Sequence, residues 1–210
     1  MKKIPDLKLS KKGHELLEMY KLMVDQGYDN NLFNIKKFKH FIKKIFIENK
    51  VETVLDYGSG RSNWFDKNFD NEDNQSAIEY FGLNQVFSYE PTIINTKKNL
   101  AECVLCFDVL EHIYISDLKN VINDLYHHSS KLVVLQVACY EAKAKLPNGE
   151  NAHITIRNPL WWKGFVDAIS SNFESIKTVL VCSTAFDKAS VFNTWSLNDW
   201  NKTLSYKVDL

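Results

Sequence analysis

The chain has 210 residues, 26 basic and 26 acidic side chains, zero formal net charge and 45 % hydrophobic residues. That balance is typical of a soluble globular chain long enough to bury a core, and no run of eighteen apolar residues offers a membrane span. Met1 to Ser10 is charged and lacks the apolar centre of a secretory signal, so the expected compartment is the cytoplasm. The charge is uneven: residues 1–50 carry twelve lysines against six acids, leaving six excess negative charges in the remainder. Such asymmetry has two readings, an acidic-ligand or nucleic-acid surface and the solvated face of helices; we favour the second.

In chain order, Lys11 to Gln26 reads as a first helix, with Leu16, Leu17, Tyr20, Met23 and Val24 at helical spacing. Gly27 and the Asp29, Asn30, Asn31 run break it. A second helix carries Ile35, Phe38, Phe41, Ile42, Ile45 and Phe46 as one apolar stripe, with lysines elsewhere. The pattern then changes. Val51 to Tyr57 (VETVLDY) is short, β-branched and apolar, and stops at Gly58, which predicts a buried strand entering a tight turn. Residues 66–78 are polar and read as a surface loop or irregular helix. Further strands are expected over Gln85–Tyr89, Glu102–Phe107, Lys131–Cys139, Ser175–Cys182 and Ser190–Trp195, with helices over Asp117–His128 and Pro159–Asn172. Strands alternating with helices predict an α/β fold with a mostly parallel sheet. Ligands in such sheets sit beyond the carboxyl ends of the strands, so the loops after Tyr57, Tyr89, Phe107 and Cys139 should build the site.

Cys103 and Cys106 form a C-x-x-C, but within a strand positions i and i+3 point to opposite faces, so buried reduced thiols are expected rather than a metal pair.

Three motifs stand at those strand ends. VLDYGSGRS, Val54 to Ser62, places an acid and a glycine turn after a strand, and glycine lets backbone approach a ligand closely. VFSYEP, Val86 to Pro91, ends a strand in Glu90, whose carboxylate can accept hydrogen bonds from both hydroxyls of a ribose; the alternative is a turn residue before proline. CFDVLEHI, Cys106 to Ile113, passes from strand to loop to helix start. Taken together, VLDYGSG, VFSYEP and CFDVLEHI resemble the class I S-adenosylmethionine (SAM)-dependent methyltransferase family, in particular the compact bacterial and phage methyltransferases of the "DVLEH" type, over roughly residues 50–170. The resemblance implies a Rossmann-like, mostly parallel seven-stranded sheet with helices on both faces and a final antiparallel strand. It implies a SAM-binding domain over 50–210, preceded by an N-terminal helical segment or lid over 1–49. Asp56, Tyr57, Gly58 and Gly60 would meet the methionine end of SAM, Glu90 the ribose, and Phe107 and Asp108 the adenine or methionine portion. The chain departs from the family pattern at Ser62, where a third glycine is common. The interval from Gly60 to Glu90 is also long, as if Asp66–Ala77 were a surface insertion, and an acid to read the adenine amino group is not evident.

The chemistry-bearing residues follow. Methyl transfer requires alignment of the acceptor and, for a hydroxyl, a base. Asp108, Glu111 and His112 stand at i, i+3 and i+4 and share one face if a helix starts near Asp108. Glu111 or His112 then serves as base, or the trio contacts acceptor or SAM, or it holds a divalent cation such as Mg²⁺, as the E-x-x-E-H of ubiquinone O-methyltransferases does, or Asp108 simply caps the helix. His153, in the loop Leu146–His153, suits acceptor binding or general-base work, against a loop histidine bonding backbone. Tyr20 and Tyr28 belong to the N-terminal segment, as lid residues over the SAM pocket or as simple core packing, while Trp161 and Trp162 are read as core ahead of acceptor pocket. NPLW, Asn158 to Trp161, is a poor match to the N-P-P-[YFW] motif of amino-methyltransferases because it lies after the wrong strand. The expected activity is methyl transfer from SAM to a small-molecule acceptor, with oxygen favoured. The alternatives are a nucleic-acid methyltransferase, motivated by the N-terminal lysines, and a non-catalytic SAM-binding module.

Overall fold

A computed structural model describes residues 4–28, 32–70 and 74–194, with the backbone of 205–209. The order of elements is α1 (Lys11–Asp25), α2 (Phe33–Lys37), α3 (Lys39–Asn49), β1 (Thr53–Tyr57), α4 (Ala77–Phe81), β2 (Gln85–Tyr89), β3 (Ala101–Phe107), α5 (Ile115–His127), β4 (Ser129–Ala138), α6 (Pro159–Ser170), β5 (Lys177–Ala185), β6 (Lys188–Thr194) and β7 (Ser205–Asp209). The sheet runs β2-β1-β3-β4-β5-β6-β7. Strands β2 to β5 in that order pair in parallel, β6 is antiparallel to β5, and β7 is antiparallel to β6. The fold is α/β with a mostly parallel sheet flanked by helices, compatible with a Rossmann-like architecture.

The strand alternation sorts two cores. Val54, Cys103, Leu105, Phe107, Leu132 and Val134 meet Ile35, Phe38, Ile42 and Phe46 of α2 and α3. Leu55, Val104, Cys106, Val133 and Leu135 meet Leu118, Ile122 and Leu125 of α5 and Trp162 and Val166 of α6. Cys103 and Cys106 thus lie on opposite faces as buried free thiols, as the side-chain period of two demands. The central strands are covered on both sides, which is why they read as continuous apolar runs. β2, at the sheet edge, is only partly buried.

Several local expectations are corrected. The second helix is two helices, because Phe38 leaves helical geometry (φ −100°, ψ 16°) while its ring stays buried. The segment 66–78 is not purely surface: Phe69 and Ala77 enter the core, and Ser76 and Glu79 form a capping box that starts α4. Asn158 and Pro159 are the N-cap and first turn of α6, with the Asn158 carbonyl oxygen of the side chain accepting from the Trp161 amide at 2.9 Å, so NPLW here is a helix start. Trp162 is fully buried, whereas Trp161 is half-buried and stacks on Phe165. The Asp29, Asn30, Asn31 break and Trp195 lie outside the described residues. Among the described residues, no helix is long and apolar enough to cross a membrane.

Candidate active site

β1 pairs with β2 on one side and β3 on the other, so successive connections leave β1 in opposite directions. The carboxyl ends of β1 and β3 therefore part at a crevice, the place where open α/β sheets bind ligands. A cavity opens there. Gly58 and Gly60 from the turn after β1, Glu90 and Thr92 after β2, and Asp108 and Val109 after β3 line one part of it. α1 covers it with Leu16, Leu17, Tyr20 and Val24.

The glycine turn is shaped by close packing. Gly58 sits at φ +80°, and a Cβ there would meet Val109 Cγ2 at 2.4 Å. Gly60 also has positive φ, at 55°. Only glycine takes these values without strain, which brings the turns after β1 and β3 into contact. Glu90 ties the turn to the β2 loop. One carboxylate oxygen accepts from the Gly60 amide at 3.0 Å; the other accepts from the Thr92 amide at 3.0 Å and the Thr92 hydroxyl at 2.8 Å. A carboxylate offers about four lone-pair sites and these bonds fill three, so one remains for a ligand's hydroxyl.

The walls are fixed from behind. Tyr57 lines the cavity, packs its ring 4.8 Å from that of Tyr89, and donates its hydroxyl to Asp124 Oδ2 at 2.7 Å. Lys98 donates to the same oxygen at 2.7 Å, so this buried carboxylate is charge-paired. Asp56 does not line the cavity. Its buried carboxyl accepts from the Trp64 indole N–H at 2.8 Å. Burial raises the Asp56 pKa to about 7, with the Trp64 hydrogen bond pulling the other way.

The far part of the cavity is assembled from distant segments. Asp108 has φ +58°, a left-handed conformation costing about 1 kcal/mol for a residue with a Cβ. A 3-10 turn over Leu110–His112 follows, and α5 begins only at Ile115 with Tyr114 as its N-cap. The expected shared helical face for Asp108, Glu111 and His112 is therefore not formed, and Asp108 does not cap α5. Glu111 turns inward, fully buried, and accepts from the Ala138 amide at the end of β4. Burial and the neighbouring Asp108 push its pKa well up. His112 points instead to His153, whose ring centroid lies 4.8 Å away.

Two bonds dock the segment bearing His153 onto the turn bearing His112, and a third ties it to α1. The Thr155 amide donates to Glu111 O at 2.8 Å, the Thr155 hydroxyl to Ile113 O at 2.6 Å, and the Tyr20 hydroxyl, from α1, to Ala152 O at 2.7 Å. The same hydroxyl lies 2.6 Å from His112 Nδ1, which is 2.9 Å from Ala152 O, while His153 Nδ1 lies 2.5 Å from Tyr140 O. Leu16 and Met23 of α1 pack on Leu146 and Ala152, fastening the N-terminal helix over this end. Burial lowers the His112 pKa to about 4 and Asp108 opposes that shift, so the ring is neutral at physiological pH.

Of the residues singled out in the sequence, Tyr57, Gly58, Gly60, Glu90, Phe107, Asp108 and His112 share the cavity. His153 stands beside His112, and Asp56 and Glu111 are turned into the protein. Thr92, Val109 and Tyr140 escaped sequence reasoning; only Thr92, two residues past the strand-end acid, carried a usable signal. No protein-family model matches the chain, and no curated protein matches it.

Proposed function

We propose that the chain is a class I SAM-dependent methyltransferase, with the seven-stranded sheet of that class, which transfers a methyl group to oxygen of a small-molecule acceptor in the cytoplasm. The observation that carries this reading is the meeting in one cavity of the Gly58–Gly60 turn, Glu90 and the Asp108–His112 turn. Gly58 and Gly60 admit backbone close to the methionine end, the spare lone pair of Glu90 accepts a ribose hydroxyl, and Phe107 and Asp108 border the bound cofactor. Asp56 is a positioning residue beneath the turn. Leu16, Leu17, Tyr20 and Val24 exclude water from the sulfonium. In the transfer, the acceptor oxygen forms a bond to the methyl carbon while the carbon–sulfur bond breaks. Its electron pair stays on sulfur, giving S-adenosylhomocysteine, and the hydroxyl proton passes to an imidazole nitrogen of the His112–His153 pair.

A panel of cofactors tests this by thermal unfolding. SAM and S-adenosylhomocysteine are expected to raise Tm in proportion to the logarithm of concentration, whereas NAD and ATP are not. Stabilisation by NAD or ATP alone would assign the cavity to another nucleotide enzyme.

One observation favours a nucleic-acid acceptor as second reading. Lys37 Nζ lies 4.4 Å over the ring of Phe186, which packs 5.9 Å from Phe33, and both phenyl groups are exposed. Cation and exposed rings together suit single-stranded nucleic acid. No mobility shift of RNA or DNA at low salt would end this reading.

A further inference from the structure

Asp108, His112 and His153 each offer one ligand atom, and these atoms all lie within 4.8 Å of one another. The three come from the strand end of β3, the following 3-10 turn and the loop after β4. We propose that they form a binding site for a divalent transition-metal cation of the imidazole-preferring class, such as Zn²⁺ or Co²⁺, in preference to Mg²⁺.

Four observations converge on this site. First, the donor set is two imidazoles and one carboxylate. Borderline cations favour that set, while Mg²⁺ favours an all-oxygen shell and retains its waters. Second, both rings are already oriented for ligation. Each Nδ1 lies against a backbone carbonyl, Ala152 O for His112 and Tyr140 O for His153. With Nδ1 as the donor, Nε2 keeps its lone pair, the arrangement that second-shell carbonyls impose on metal-bound histidines. The Tyr20 hydroxyl, which donates to Ala152 O, leaves its own oxygen to accept from the same His112 Nδ1. Third, the carboxyls of Asp108 and Glu111 lie against one another beside the two rings, with Glu111 fully buried, so oxygen donors gather at the place where the imidazoles meet. Fourth, the histidines are nearly buried while Asp108 and His112 line the cavity, so open coordination positions face the space an acceptor occupies. Ligands at about 2.1 Å from a tetrahedral cation stand about 3.4 Å apart, so side-chain rotations of the order of 1 Å close the site.

The sequence pattern D-x-x-E-H suggests Glu111 as a ligand; the geometry replaces it with His153, from forty residues further on. One consequence rests on the methyl-transfer reading. In the cation-bound form the Nε2 lone pairs would be spent as ligands, so the imidazole base named above would serve the cation-free form alone. The cation would then supply Lewis acidity, lowering the pKa of an acceptor hydroxyl whose proton would pass to solvent water.

The test is titration of chelator-treated, folded protein with Co²⁺, read by its visible ligand-field absorption and repeated with SAM calorimetry on the same sample. One equivalent is expected to bind, to be displaced by Zn²⁺ but not by millimolar Mg²⁺, and to lose at least tenfold in affinity in both His153→Ala and His153→Gln. The second variant retains a polar side chain and guards against loss of folding in the first, and His14→Ala, on the exposed face of α1, should bind as the parent does. Absence of Co²⁺ absorption, or affinity unchanged in the folded His153 variants, would overturn the site whatever SAM does. Co²⁺ binding without SAM binding would leave the site standing and remove the methyl-transfer reading.

Discussion

The two ends of the cavity are built differently. At the glycine end, Gly58, Gly60 and Glu90 follow directly from strand ends, and the backbone itself holds them: Gly58 and Ser59 amides donate to Tyr89 O at 2.8 and 3.1 Å, and Gly60 to Glu90. At the imidazole end, Asp108, His112 and His153 are brought together by side chains and loops, with Tyr20 of the N-terminal helix as a brace. A strand followed by a turn is local, so its ligand-facing groups can be read along the chain. A cluster drawn from separate loops depends on tertiary packing, and only the folded molecule reveals its members.

The comparison can be broken most forcefully at Gly58. Gly58→Ala adds a methyl group into Val109 at a left-handed φ, so we expect a loss of about 2–3 kcal/mol in stability and at least a hundredfold loss of SAM affinity. Chemical denaturation and calorimetry check both. Retention of full SAM affinity would show that the turn does not approach the cofactor. The imidazole end should give way more gently. Tyr20→Phe removes the hydroxyl shared by His112 and Ala152 O, which costs about 1 kcal/mol and should loosen the 146–153 loop to proteolysis while leaving SAM affinity within about threefold. An equal collapse of SAM binding would mean that the two ends act as one unit.

A third effect, read through pH, concerns Asp56 behind the glycine end. Its folded pKa of about 7 lies above the ordinary 3.8, so the folded state holds the proton more tightly than the unfolded chain. Its stabilising contribution is thus complete below about pH 4 and lost as pH rises through about 7. Tm should decline across that interval, and Asp56→Asn, which keeps an acceptor for the Trp64 indole, should flatten the decline. An unchanged pH profile would place the titration elsewhere.

Much of the frame was legible because strands carry simple signals. The edge strand Gln85–Tyr89 has the limits its sequence predicts, and β1, β3 and β4 agree within two residues, since burial of those central strands on both faces leaves unbroken apolar runs; β5 runs three residues past the expected Cys182. Phe38 hid the break between α2 and α3 because it is apolar and buried at the stripe's own spacing. The segment around Phe69 reads as polar by composition, and the S-x-x-E at Ser76–Glu79 that starts α4 escapes that reading. The shared face of Asp108, Glu111 and His112 does not form, for a physical reason: an i, i+3, i+4 pattern assumes α-helix, but a left-handed Asp108 and a 3-10 turn redirect Glu111 inward and His112 toward His153. Asp56, by contrast, sits in the expected strand-end position with its carboxyl taken by Trp64.

Calorimetric titration of SAM and S-adenosylhomocysteine into the parent chain and Glu90→Gln tests the central claim most directly. Glutamine keeps the shape of Glu90 but loses the charge that accepts from Gly60, from Thr92 and from a ribose. One-site binding in the micromolar range, weakened about tenfold or more in a variant of parent-like secondary structure, is the predicted result. No heat of binding from either ligand in well-folded parent protein would contradict it.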